Sequence, residues 1–490
     1  MRHNLTLALI LSVEAAVVVA VLLALRSGAL PRGVSGEWEW LRVPQPPEAN
    51  RLFLALVGIA VYCVVAGFLM RRLMNRPNRV SQWVALATLF IAAVMVQGMV
   101  QVGAPVGYGL EKWVVAVSQP GSSGYFTVAK NQVRDRSQFL RDYPEWIQKQ
   151  DALHLGTHPP GLILVESLLL GAMKRYPSLA RFVVDHAPES VTAMLKVFGE
   201  THAMAPADRA TFVLSGLLTL LACSATVLPL YMLSRRYLDP GFAFGAAALW
   251  PLVSSAVLFQ PSADSAFPFL STTILAIAVH ASGGSIRSAC VSGVVCGLLF
   301  GVAMELTLAF LAVGLVGSLT SLFERDRLPR RKFVFLFATL LAFLAATLAF
   351  WWWTGGNPFA TWWWNQRNHA RFYDEFPRTY RAWLVANPVE LAVGLGLPIV
   401  VWALAGLRKP RALPGVSLAT LSVLAFLTLG GRNLSEVGRL WLPFMPALVV
   451  SAGYGMQVVS AGPKALGATI ALLALQVLAL ESIIQVVYPI

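Results

Sequence analysis

Runs of about twenty uncharged apolar residues recur along the whole chain, and no other feature limits its fold so strongly. Inside hydrocarbon every backbone N–H and C=O must be satisfied within the segment, so each run predicts a helix. Candidate spans are 5–25, 52–70, 82–103, 211–234, 241–259, 266–281, 333–353, 389–407, 414–430, 440–460 and 466–487. The run 288–323 is too long for one crossing and divides near Gly301 into 288–302 and 304–323, giving about thirteen spans. Charged residues make up 13% of the chain, against roughly 25% in an average soluble domain. That is too few to cover a water-facing surface, which excludes a soluble enzyme and a disordered protein. Cys63, Cys223, Cys290 and Cys296 all lie in apolar runs, which excludes a disulfide scaffold and gives no metal-ligand spacing. The expected class is an all-α polytopic membrane protein.

The net charge is +14. In a membrane protein such an excess sits on cytoplasmic loops, so nucleic acid is not an expected partner. Met1-Arg2-His3 precedes an apolar run to Leu25 that exceeds a signal-peptide core, so it reads as a retained span with a cytoplasmic N-terminus. Residues 161–173 are apolar but short, and Glu166 interrupts them. A helix of that length reaches about 20 Å, short of a core about 30 Å thick. If it does not cross, alternation puts several basic clusters in short inner loops: Arg71, Arg72, Arg76 and Arg79; Arg235 and Arg236; Arg325, Arg327, Arg330, Arg331 and Lys332; Arg408, Lys409 and Arg411. If it does, the later clusters fall outside, against the positive-inside rule. A re-entrant or interfacial helix is therefore expected.

The outer face then holds every long connection: 27–51, 104–210, 354–388 and 431–439. Three parts follow: a three-span segment 1–103, a large extracytoplasmic loop 104–210 with juxtamembrane helices, and a ten-span bundle 211–490. Long ordered loops carry function, so the chemistry is expected outside. Val191, Met194, Leu195 and Phe198 follow helical spacing in 187–199, which reads as an amphipathic helix on the membrane surface or packed onto the loop domain.

Within 104–210, Gly121-Ser122-Ser123-Gly124 is a turn before Tyr125 and Phe126. Asp135, Asp142 and Glu145 follow, then His154-Leu155-Gly156-Thr157-His158-Pro159-Pro160-Gly161. Proline suits the first turn of a helix, which places His158 at a helix mouth, where the dipole favours an anion. Elsewhere, Asp264 follows Gln260-Pro261-Ser262 at a membrane edge, as a functional carboxylate or a helix cap. Glu305 lies near the outer turn of 288–323. Asn365, Asn368 and His369 sit among Trp351-Trp352-Trp353, Trp362-Trp363-Trp364 and Tyr373, a set suited to an interfacial belt or to sugar stacking. Glu436 and Arg439 are three apart and can pair, or Arg439 can meet a phosphate. No Walker loop, dinucleotide turn or His-Glu-x-x-His is present.

This layout, with Thr157-His158-Pro159-Pro160-Gly161 closing the first outer loop, resembles the GT-C superfamily of membrane glycosyltransferases. Its protein O-mannosyltransferase and lipid A aminoarabinose transferase branches are the nearest. The resemblance implies a polyprenyl-phosphate-linked sugar donor, a glycan, lipid or protein acceptor, and an active face outside a bacterial cytoplasmic membrane. It also implies a carboxylate before the tyrosine, but Ser122, Ser123 and Gly124 stand there. Asp135, Asp142, Glu145 or Asp264 is then the expected base, with Glu111 a further substitute. His154, His158, Arg439, Glu436, Tyr125, Asn368 and His369 are the expected donor-binding groups. No cofactor or metal ligand is assigned, and a divalent metal is left open. A transporter or lipid flippase, and a non-catalytic scaffold, are the alternatives.

Overall fold

The computed structural model describes residues 2–43, 45–201, 203–281, 285–323 and 329–485. Arg325 and Arg327 of the basic clusters lie outside them. The described chain is mostly helical and has almost no sheet. It opens with α1 (Arg2–Ser27), then short strands β1 (Gly33–Val34), β2 (Trp38–Glu39) and β3 (Leu41–Arg42), then α2 (Ala49–Asn75) and α3 (Arg79–Val102). The first long loop forms α4 (Lys112–Ser118), α5 (Tyr125–Asn131), α6 (Arg136–Trp146), α7 (Gly161–Arg175), α8 (Pro177–Asp185) and α9 (Glu189–Thr201). The bundle continues with α10 (Pro206–Ala225), α11 (Val227–Ser234), α12 (Pro240–Leu249), α13 (Ser254–Leu258), α14 (Phe267–His280), α15 (Ile286–Met304), α16 (Phe310–Phe323) and α17 (Pro329–Thr354). It ends with α18 (Pro358–Glu375), α19 (Tyr380–Leu395), α20 (Leu397–Ala405), α21 (Gly415–Leu429), α22 (Val437–Leu440), α23 (Met445–Val458), α24 (Pro463–Ile483) and β4 (Ile484–Gln485). β1 pairs with β2 and β3 with β4, both antiparallel.

Among the described residues, eight helices are long and apolar enough to cross a membrane, or nine if one bent pair is a single span. They match the predicted runs at α1, α2, α3, α10–α11, α14, α15, α17 and α24. Helix α2 shows why a bilayer suits them. Ala55, Ile59, Tyr62, Ala66 and Leu69 are buried at helical spacing, while Phe53, Val61, Val64 and Phe68 on its other side are exposed and equally apolar. Helices α15 and α17 pack closely because Gly293 and Gly297 lie one turn apart. A methyl on Gly293 would come within 2.8 Å of Ala338 Cβ.

Several predicted spans are not straight, full-length helices. Segment 389–407 bends by 97° between α19 and α20, at Gly396, whose φ of 105° suits only glycine. Segment 241–259 is broken by a 3-10 turn at Trp250–Leu252 that contains Pro251. Residues 305–309 form a turn, so α16 begins at Phe310 and has 14 residues. Helices α21 and α23, with 15 and 14 residues, are also short for a crossing.

Hydrogen bonds define two ends of the bundle. At one end Tyr231 Oη donates to Gln82 at 2.9 Å, the Asp239 N–H to Gln457 Oε1 at 2.8 Å and Tyr454 Oη to the Lys409 carbonyl at 2.9 Å. Arg71, Arg72, Arg235, Arg236 and Arg408 lie in or beside the connections at this end. At the other end Arg51 pairs with Glu111 at 2.8 Å, Lys112 Nζ donates to Gln485 Oε1 at 3.2 Å, and the Gly161 N–H donates to the Glu305 carbonyl at 2.9 Å. Helix α7 starts there, beside Glu305, and its last turn brings Lys174 to a hollow shared with Asp208 and Arg209 at the start of α10. Between these points Glu166 accepts from Ser215 Oγ at 2.9 Å, so α7 runs antiparallel along α10. In α9, Val191, Leu195 and Phe198 are buried against α4 and α10 neighbours, so its apolar stripe packs on protein.

Candidate functional site

The site grows from a polar seam beneath the turn at 260. Gln97 Oε1 accepts from Ser224 Oγ at 2.7 Å and from Gln260 Nε2 at 3.2 Å, and Gln101 Nε2 donates to Gln260 Oε1 at 2.7 Å. These bonds tie α3 and α10 to the chain just before Asp264. Asp264 sits in a one-turn 3-10 helix, Ala263–Ser265. Its Oδ2 accepts from Ser262 Oγ at 3.2 Å.

Arg439 approaches from the far end of the sequence. Its Nη2 lies 2.7 Å from Glu436 Oε2 and its Nε 4.0 Å from Asp264 Oδ2, with about a fifth of each side chain exposed. The longer distance is an ion pair and not a hydrogen bond, and Arg439 Nε has no hydrogen-bond partner. One guanidinium thus faces two carboxylates and keeps a donor unused.

The turn that presents Arg439 is strained and heavily supported. Ser435 and Glu436 have φ of 84° and 53°, left-handed values that cost non-glycine residues about 1–3 kcal/mol each. Asn387 Nδ2 donates to the Asn433 carbonyl at 2.8 Å, Arg378 Nε to Ser435 Oγ at 3.2 Å, and the Gly438 N–H to Glu390 Oε1 at 2.9 Å. Tyr373 Oη donates to the Arg432 carbonyl at 3.0 Å and accepts from the Leu434 N–H at 3.1 Å. Glu390 and Asn387 belong to α19, the limb of the bent pair before Gly396. Sequence reasoning missed Glu390, although a lone carboxylate in the run 383–395 was a readable signal.

The first loop supplies the opposite wall. His158 precedes Pro159-Pro160 at the mouth of α7, as predicted. Its Nδ1 lies 2.9 Å from the His154 carbonyl oxygen and 3.2 Å from Thr157 Oγ1. A carbonyl only accepts, so Nδ1 carries the proton and Nε2 is the free nitrogen of the neutral ring. Burial holds the His158 pKa below the usual value against the opposing pull of Asp264 and the His154 carbonyl, and Arg439 adds to the lowering. Burial, Arg439 and His158 push His154 down to about 3. Tyr125 meets His158 edge-on, with ring centroids 5.9 Å apart. Burial and the nearby Asp264 charge raise its pKa, so it stays a phenol donor. Tyr143 Oη fixes the His158 backbone by donating to its carbonyl at 2.9 Å.

Helix α18 holds this wall from behind. Asn368 Nδ2 donates to the carbonyls of Ile147 and Gly156, at 3.1 and 2.9 Å, and Asn365 Nδ2 to Gly156 at 3.0 Å. Asn368 is thus a brace for the loop. Burial, then His158 and Arg432, lower the pKa of His369, whose ring meets Tyr373 edge-on at 5.6 Å. Glu305 lies in the turn that receives α7, and its Oε2 is buried without a partner.

The structure thus groups Asp264, Glu436, Arg439, His154, His158 and Tyr125. The other predicted carboxylates stand apart. Asp135 caps α6, accepting from the Gln138 N–H at 2.8 Å, and Asp142 and Glu145 are exposed on that helix. Glu111 is buried in its ion pair with Arg51. The cap role of Asp135 was legible, because an Asp before a polar first turn satisfies free N–H groups locally. No group of three or more His, Cys, Asp or Glu suited to a metal occurs among the described residues. Chemically the cluster offers a carboxylate base, a cation with a spare donor and neutral imidazoles. Comparison with family models, curated proteins and solved structures finds no match to this chain.

Proposed function

We propose that this chain is a membrane glycosyltransferase that moves a sugar from a polyprenyl-phosphate donor to an acceptor hydroxyl on the extracytoplasmic face. The observation that carries the reading is the open pair of Asp264 and Arg439, a carboxylate and a guanidinium 4.0 Å apart with Arg439 Nε unpartnered. In this reading Asp264 accepts the acceptor's proton as general base. The acceptor oxygen forms a bond to the anomeric carbon while the bond from that carbon to the phosphate oxygen breaks. Polyprenyl phosphate leaves with the electron pair, and Arg439 stabilises its charge. One displacement inverts the anomeric centre. His158 presents a neutral Nε2 to the same space, and Glu436 holds Arg439 in register.

Sidedness follows from charge. The cluster lies at the end of the bundle opposite Arg71, Arg72, Arg408 and Lys409, and basic loops favour the cytoplasm. In this reading helix α7, with 15 residues, is too short to cross and stays on the side of the site. The thirteen-segment layout is kept, with the short and bent helices as partial or broken crossings. The resemblance to GT-C enzymes supports the same donor class. The test reconstitutes the full chain with a panel of polyprenyl-phosphate sugars and measures released polyprenyl phosphate and modified acceptor. Turnover lost in Asp264→Asn supports the reading. No turnover with any donor, together with unchanged envelope glycans and lipid-linked sugars after gene deletion, overturns it.

One observation favours transport as a second reading. Glu14 is fully buried in α1, accepting from Thr469 Oγ1 at 3.2 Å, and an ionisable group within a span marks transport pathways. Lipid or solute flux in proteoliposomes that Glu14→Gln abolishes would select it.

A further inference from the structure

We infer that the hollow between α5, α7 and α10 is a headgroup site for an anionic phospholipid of the surrounding bilayer, separate from the Asp264–Arg439 cluster and independent of what that cluster does. Its lining includes Lys130, Lys174 and Arg209 with one carboxylate, Asp208. Lys130 Nζ lies 2.7 Å from Asp208 Oδ2, so that pair is internally neutral. Lys174 and Arg209 remain, and together they match a phosphodiester. Asp208 is only 1% exposed, and its Oδ1 is buried without a hydrogen-bond partner. Arg209 Nε is likewise buried and unpartnered. A ligand that brings an anion to the cations and a hydroxyl or ammonium donor to Asp208 Oδ1 would satisfy both orphaned atoms. The surplus of positive charge favours a net anion with hydroxyl donors, such as phosphatidylglycerol, over a zwitterion.

The surroundings point to a lipid and not a free phosphate. Directly after Lys174 and Arg175 come Tyr176 and α8, where Tyr176 is 53%, Leu179 44% and Phe182 57% exposed. On α7 and α10, Val165, Leu168 and Leu218 are exposed as well. An apolar ridge beside a basic hollow fits acyl chains lying next to a headgroup.

The experiment is native mass spectrometry of the full chain in neutral detergent, titrated with phosphatidylglycerol or phosphatidylcholine of matched chains. Phosphatidylglycerol adducts are expected to exceed phosphatidylcholine adducts, and Lys174→Glu is expected to lower phosphatidylglycerol affinity by roughly five- to thirty-fold. Lys174 is exposed and the substitution leaves the Lys130–Asp208 pair intact, so folding is preserved. Phe182→Gln, a second exposed position, is expected to weaken both lipids. Undiminished phosphatidylglycerol binding in both variants overturns the site. Displacement of the lipid by an excess of inorganic phosphate overturns the commitment to lipid and leaves a phosphate site.

Discussion

Replacing Arg439 with Met removes the one cation that faces both carboxylates of the cluster. At separations of 2.7 and 4.0 Å, an effective dielectric of about 20 gives attractions of about 6 and 4 kcal/mol before desolvation. Desolvation cancels much of this, and loss of one member of a substantially buried pair typically costs about 3–5 kcal/mol because the partner charge is left unpaired. With the side chains about a fifth exposed, the lower end applies, so Arg439→Met is expected to destabilise the fold by about 3 kcal/mol. Sugar transfer should fall further than this loss of folded protein explains, by about a hundred- to a thousandfold, as when one oxyanion donor is removed. Arg439→Lys keeps the charge but not the forked donor set, and should fall between. The assay is release of polyprenyl phosphate from the reconstituted chain, normalised to folded protein by a melting curve. Adding Asp264→Asn to Arg439→Met should recover part of the stability without any activity, since only Glu436 of the two carboxylates is then left without its cation. If Arg439→Met transfers sugar at the wild-type rate per folded molecule, Arg439 is a structural cation and the mechanism is wrong.

Three further outcomes follow. Asp264→Asn should abolish transfer by about a hundred- to ten-thousandfold, as loss of a general base does. Asp135→Ala should cost only about 1 kcal/mol of cap stability, and Asp142→Ala and Glu145→Ala should be near neutral. Initial-rate measurements on the four variants decide between these carboxylates. Glu390→Ala should lower kcat, because the Gly438 N–H loses its acceptor and the left-handed Ser435–Glu436 turn loses a support, whereas Glu390→Gln keeps an acceptor oxygen and should restore most of it. A common loss in both variants would count against positioning. His154 has a folded pKa of about 3 against an ordinary 6.5. The unfolded chain therefore binds a proton that the folded chain refuses between those values, so its contribution to stability is complete above pH 6.5 and declines as pH falls toward 3. Melting temperatures recorded as pH falls below 6.5 should drop less steeply in His154→Gln, and an unchanged slope would refute the burial of a neutral ring.

Helices and their mouths were legible in the sequence because their causes are local. Uncharged runs dictate helices wherever no water can satisfy the backbone, and Pro159-Pro160 marks the start of α7 with His158 beside it. The Glu436–Arg439 pair was readable from spacing alone, and it forms at 2.7 Å. Only the tertiary structure separated Asp264 from Asp135. Both precede a helical turn and look alike in sequence. Packing through Gln97, Gln101 and Gln260 carries Asp264 to Arg439, while Asp135 spends its oxygen on its own helix. The same applies to the bend at Gly396 and to Glu390 beneath the strained turn. Periodicity and caps are set by neighbours a few residues away, whereas a cluster of charges is set by which distant helix ends meet.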